Sequence, residues 1–247
     1  MRAGVWLREH GDMTDLADLW DFDDPAGSER RFRAAATGDV RPVMLTQVAR
    51  ALGLQGSYDA AHDLLHEVGA GPVDDETRVR VHLERGRLHR SAGDPLTARP
   101  EFDEAAELAE AAGLDALHLD ALHMQALVAA PDEALAITER ALALAAVSDD
   151  ERARNWDASL LNNLGMMRVD AGDLDGALET FEDALAARER IGVPADVRVA
   201  RWMVAWVLRL QGRDDEARAM QRALKAELDA AGKSDPYVDE ELGLLGG

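Results

Sequence analysis

The stretch Ser159 to Arg188, SLLNNLGMMRVDAGDLDGALETFEDALAAR, decides the fold. Leu160, Leu161, Leu164 and Met167 recur at helical spacing, and so do Ala177, Leu178, Phe181, Ala184 and Leu185 beyond a short acidic turn. In that turn, Ala171-Gly172-Asp173-Leu174-Asp175, Gly172 can take the left-handed backbone that ends one helix, and Asp173 can cap the next. The reading is therefore two antiparallel helices. Gly165 and Ala177 stand where they must approach closely, and a bulky side chain at Gly165 is expected to overpack the contact by about 1–3 kcal/mol.

The unit recurs along the chain. Ala61, Ala98, Ala134, Ala177 and Ala217 align at spacings of 37, 36, 43 and 40 residues, and Gly56, Gly93, Gly172 and Gly212 each stand five residues before the alanine. The third unit departs, with Ala129 at the glycine place and Pro131-Asp132 making the turn. The units run over about 42–69, 77–112, 115–146, 156–191 and 196–231. In the second, Pro100 falls where its second helix should already be running, so that helix either starts late or kinks.

A small residue in the first helix, a Gly-Asp turn, then alanine, aromatic and alanine at steps of four and three resembles the tetratricopeptide repeat, with Leu161, Leu164, Gly165, Gly172, Ala177, Phe181 and Ala184 at the matching positions. Leu161 and Arg168 replace the family's tryptophan and tyrosine. The run Leu161-Asn162-Asn163-Leu164-Gly165 and the spacings of 40 and 43 resemble the longer repeats of the kinesin light chain type. The resemblance implies an all-α, right-handed superhelical solenoid of antiparallel helix pairs, about five repeats between terminal caps. Residues 1–12 are expected to form a flexible tail and residues 13–40 capping helices around Trp20, Phe22 and Phe32. Residues 41–231 form the repeat domain, and residues 232–247 a closing helix and tail in which Leu242, Leu244 and Leu245 cover the last repeat.

Composition narrows function by exclusion. The 247 residues hold 27 Lys+Arg against 48 Asp+Glu, a formal charge of -21, which disfavours nucleic acid and anionic membranes as partners. There is no cysteine, hence no disulfide or thiolate chemistry. No apolar run approaches a membrane span, and the opening MRAGVWLREHGD lacks the apolar core of a secretion signal, so a cytoplasmic location is expected.

Catalytic constellations are sparse. His62 and His66 have the i, i+4 spacing of a zinc-binding helix but lack the accompanying glutamate, and in the repeat frame they lie on an outer helix face. His82, His89, His118 and His123 fall on first helices, where two or three could meet in the groove. Acidic pairs such as Asp74-Asp75, Asp149-Asp150 and Asp214-Asp215 fit helix starts. No phosphate loop or nucleophile elbow is present. The chain is expected to be no enzyme and to need no cofactor or metal, with a histidine-metal hydrolase as the remote alternative.

The resemblance places first helices on a concave surface. The first helices carry ten basic and six acidic residues, so this wall holds a positive balance of four in an acidic chain. By phase, Arg50, Arg80, Arg87 and Arg90 should point into the groove, with Arg198, Trp202, Trp206 and Arg209 forming a stripe on the last first helix. Arginine's planar fork suits carboxylates, and the resemblance gives Asn162 and Asn163 the role of holding a peptide backbone. Tryptophan flanked by arginine suits a peptide anchor, with packing of the pair against the preceding unit or the final helix as the equal alternative. The leading expectation is a protein-protein interaction module binding a peptide or protein segment of acidic character. It loses its basis if these arginines are spent in ion pairs within the chain. The alternative is a structural assembly protein whose Trp pair is buried in a homodimer.

Overall fold

In a computed structural model, which describes residues 16–246, every regular element is helical. The expected tail over residues 1–12 lies outside the described residues. After a 3-10 turn at Leu16–Leu19 come α1 (Pro25–Ala35), α2 (Arg41–Leu54), α3 (Tyr58–Ala70), α4 (Asp75–Ser91), α5 (Pro95–Ala112) and α6 (Asp115–Ala126). There follow α7 (Pro131–Val147), the four-residue α8 (Glu151–Arg154), α9 (Asp157–Asp170), α10 (Leu174–Ile191), α11 (Pro194–Leu210), α12 (Asp214–Ala230) and α13 (Pro236–Leu244).

The turn between α9 and α10 is built as its residues dictate. Gly172 has φ +78°, the Asp173 N–H returns to the Arg168 carbonyl at 2.9 Å, and the Asp173 carboxylate accepts from Gly176 N–H at 3.0 Å. Such caps are worth roughly 0.5–2 kcal/mol each. The same arrangement closes α4 onto α5, where Asp94 accepts from Thr97. Asp74 and Asp150 cap α4 and α8 in the same way. A Cβ on Gly165 would lie 2.7 Å from the Phe181 ring, so the helix contact requires glycine there.

Pro100 sits inside α5, which already starts at Pro95 and so does not start late. The carbonyl its missing N–H would serve belongs to Leu96, a residue 86% exposed, so water can take the place of the lost bond.

The chain divides into two compact units between Ile137 and Thr138, inside α7. Repeat spacing gives no sign of this division. In the first unit α1 packs on α2, α2 on α3 and α4, α4 on α5, and α5 on α6. Phe32, Val48 and Leu65 fill one part of its interior, and Leu83, Phe102 and Ala105 another. Trp20 stacks on Phe22 and tilts against Phe32, but Phe22 itself stays exposed and is not part of the cap's interior.

In the second unit α9 packs on α10, α10 on α11, α11 on α12, and α12 on α13. Phe181, Val204 and Val207 are central, and Leu224, Leu228 and Val238 join α12 to α13. Leu242 and Leu245 face this interior as expected, whereas Leu244 faces solvent.

Candidate functional site

First helices of the helix pairs carry all ten residues singled out for the groove. In the first unit these are α2, α4 and α6. Their polar residues do meet, but they are largely spent on one another. Arg87 hydrogen-bonds both Glu84, one turn earlier on α4, and Asp120 of α6. Glu84 is 2% exposed and Asp120 9%, so this is a buried network across two helices. Burial alone would lower the Arg87 pKa, but the charges of Asp120 and Glu84 outweigh it and raise the value. Asp120 is raised by burial and lowered more strongly by Arg87 and Arg50, leaving it below the usual carboxylate range.

Arg50 lies 4.0 Å from Glu84 and stacks over the rings of Trp20 and Phe22 at 5.6 and 5.7 Å. The Arg87 charge and then burial pull its pKa down. Trp20 is held in place by its indole N–H, which donates to Gln47 Oε1 at 3.1 Å. Arg80 pairs with Glu76 at 2.8 Å. Arg90 is exposed and has no ion pair among the described residues. The second oxygen of Glu84 is buried without a hydrogen-bond partner among the described residues. Burial also lowers the His123 pKa, against the pull of Asp120.

The second unit divides its first-helix face into two parts. Toward α13, Arg209 makes a two-pronged pair with Glu241 at 2.7 and 2.8 Å, a bond that raises the Arg209 pKa. Trp202 lies within the cluster of Leu224, Leu228, Val238 and Leu242, meets Tyr237 edge-on at 6.2 Å, and stacks on Trp206 at 6.0 Å. Its indole N–H is buried without a partner among the described residues. The chain's own closing helix thus occupies this part of the expected groove.

Toward α9 the face is open. Asn162 of α9, with Ala158, lines a pocket of about 140 Å³ whose other walls are Ala184 and Arg188 of α10 and Asp196, Val199 and Ala200 of α11. Asn162 is half-buried and makes no hydrogen bond among the described residues, and Val199 is 59% exposed at the rim. Asn163 is engaged within the chain. Arg198 is half-buried with no ion pair among the described residues.

Several contributors escaped the sequence reading. The pocket's alanines carry no chemical signature; only the trough between two first helices gives them a role. Arg168, standing where the repeat family has tyrosine, donates to the Gly176 carbonyl at 2.8 Å and to Thr180 Oγ1 at 2.7 Å, tying α9 to α10. A larger cavity of about 460 Å³ lies beside α8, between Leu142, Ala145, Arg154 and Arg190. It depends on the insertion that makes the 43-residue spacing.

The two histidines of α4 turn to different neighbours. His82 bonds Glu101 of α5 at 2.7 Å, and His89 lies against His62 of α3 with ring centroids 4.9 Å apart. They therefore face the seams with α5 and α3. Among the described residues, no group of three or more His, Cys, Asp or Glu is placed to hold a metal ion. No helix there is long and apolar enough to cross a membrane.

Residues 156–224 match the tetratricopeptide repeat family model. No curated protein matches the chain. Among solved structures it resembles BtubC (BKLC) from P. vanneervenii, at 20% identity and a TM-score of 0.65, over 91% of this chain and 95% of that one. It also resembles the nearly identical TPR-like repeats of a Podosopora anserina protein described as a kinesin light chain, at 16% identity and a TM-score of 0.59, over 80% and 99% of the two chains. NprR in complex with its cognate peptide NprX aligns at 18% identity and a TM-score of 0.56, over 90% of this chain and 66% of that one.

Proposed function

We propose that this tetratricopeptide-type repeat protein is a non-catalytic interaction module that binds a peptide or protein segment on the first-helix face of its second unit. The observation that carries the reading is the open trough between α9 and α11. There a half-buried amide, Asn162, has no hydrogen-bond partner among the described residues, beside a small pocket and an exposed Val199. Side-chain amides offer both a donor and an acceptor, which is what an extended backbone presents in return. The solved NprR complex with a peptide supports a role of this class for the fold.

An acidic ligand has fewer anchors than the charge of the first helices suggests. Arg80, Arg87 and Arg209 are neutralised by Glu76, by Glu84 with Asp120, and by Glu241. Any carboxylate preference falls to Arg198 in the second unit and Arg90 in the first. The homodimer alternative is weakened in its original form, because Trp202 is covered by α13 of the same chain.

The test is selection from a displayed random-peptide library on the full chain, followed by affinity measurement with Asn162→Ala. Selected peptides should bind wild type and lose about fivefold or more with the variant. Failure to select any peptide, or equal binding to both proteins, would sink the reading.

A further inference from the structure

Of the polar and apolar features on the two units, the pocket beside Asn162 has the most restrictive chemistry. Its floor is made of methyl groups from Ala158, Ala184 and Ala200, all buried, and Val199 extends that lining to the rim. Its polar wall is Arg188 and Asp196, but these pair with each other at 2.9 Å, and Arg188 also donates to Ser159 Oγ at 3.0 Å. The wall is polar without an unmatched charge.

We infer that this pocket is a specificity subsite for a branched aliphatic side chain, of valine or leucine size, on an extended segment of a protein partner. The inference rests on the proposed peptide-binding role of this trough and names the residue class it selects. Size sets one bound: a cavity of about 150 Å³ takes a molecule as large as benzene, and this one measures about 140 Å³. A glycine or alanine would leave much of it empty. A lysine, aspartate or glutamate would give up its hydration against a wall with no counter-charge to offer.

Asn162 fixes the register. Its amide stands in the pocket lining, so a residue whose side chain enters the pocket presents its own N–H or C=O to that amide. Side-chain insertion and backbone pairing then occur at one residue, and the ligand is read there by shape. Arg198 does not line the pocket, so a carboxylate preference would belong to a different ligand position.

Position-scanning libraries built on peptides selected by the wild-type chain test this directly, with binding to Val199→Asp as the second arm. Val199 is exposed, so this variant should fold. Valine, leucine or isoleucine should be required at one position. Replacing it with glycine or aspartate should cost about tenfold or more in affinity, as expected for burying one such side chain. Val199→Asp should lose a comparable factor, and methyl-labelled Ala158, Ala184, Ala200 and Val199 should shift in NMR spectra on binding. Peptides that bind tightly with no aliphatic requirement, or that bind Val199→Asp unchanged, would overturn the subsite and leave the peptide-binding role standing. If no peptide is selected at all, both fall.

Discussion

At the scale of single residues, two contacts set the tolerance of the chain to substitution. Gly165 meets the ring of Phe181, and Gly86 meets Phe102 in the same way, a Cβ there falling 2.4 Å from the ring. Leucine at either position should destabilise the protein by about 1–3 kcal/mol or more in urea unfolding, and a variant as stable as wild type would contradict the packing described. The Gly86–Phe102 pair repeats the 16-residue offset of Gly165–Phe181, so the signal was present in the sequence. The buried network is the second contact. Arg87→Met leaves Glu84 and Asp120 with only the more distant Arg50 as cation and should cost about 3–5 kcal/mol, whereas replacing all three with apolar residues should recover most of that loss. Because Asp120 has a lowered pKa, it contributes stability that is complete above the ordinary aspartate value of about 3.9 and is lost as pH falls through the folded-state value. Urea midpoints of wild type should therefore drop below about pH 4. Asp120→Asn should be less stable at neutral pH and show a shallower drop in acid.

At the scale of elements, sequence and structure agree most closely at the turns. Gly56, Gly93, Gly172 and Gly212, placed by spacing alone, all have positive φ. Turn chemistry is local, and a glycine beside a capping aspartate needs no knowledge of distant residues. Ion pairing between helices is not local. Helical phase put Arg87 and Arg209 on the first-helix face, but their partners Asp120 and Glu241 lie 33 and 32 residues away, and no periodicity within one helix reveals them. The same limit left the fate of Trp202 open between a ligand and the closing helix, and α13 is found packed against it. Ending the chain after Lys233 should remove Tyr237, Val238 and Leu242 from around that indole. Tryptophan emission should then shift to the red, and stability should fall by roughly 2 kcal/mol or more; unchanged emission would mean that α13 does not shield Trp202 in solution.

At the scale of the whole molecule, net charge dominates. A chain at -21 repels itself, and many of its ion pairs are exposed ones of small worth, such as Arg213 with Glu216. Screening should relieve the repulsion more than it weakens those pairs, so the thermal midpoint should rise between 10 and about 200 mM sodium chloride; a fall would show that the pairs outweigh the excess charge. Composition made this legible from the start, and it made the helical class legible too. Composition gave no warning of the division inside α7, because compactness depends on contacts between helices and not on residue content. The one irregular spacing in the series has a use of its own. The extra residues that stretch it to 43 are taken up by the loop around exposed Asp149 and by the short α8, without altering the capped turn that joins α9 to α10. The loop is thus a splice point, where a fluorophore-bearing linker or an affinity tag could be grafted between Ser148 and Asp149 while the trough between α9 and α11 keeps its geometry.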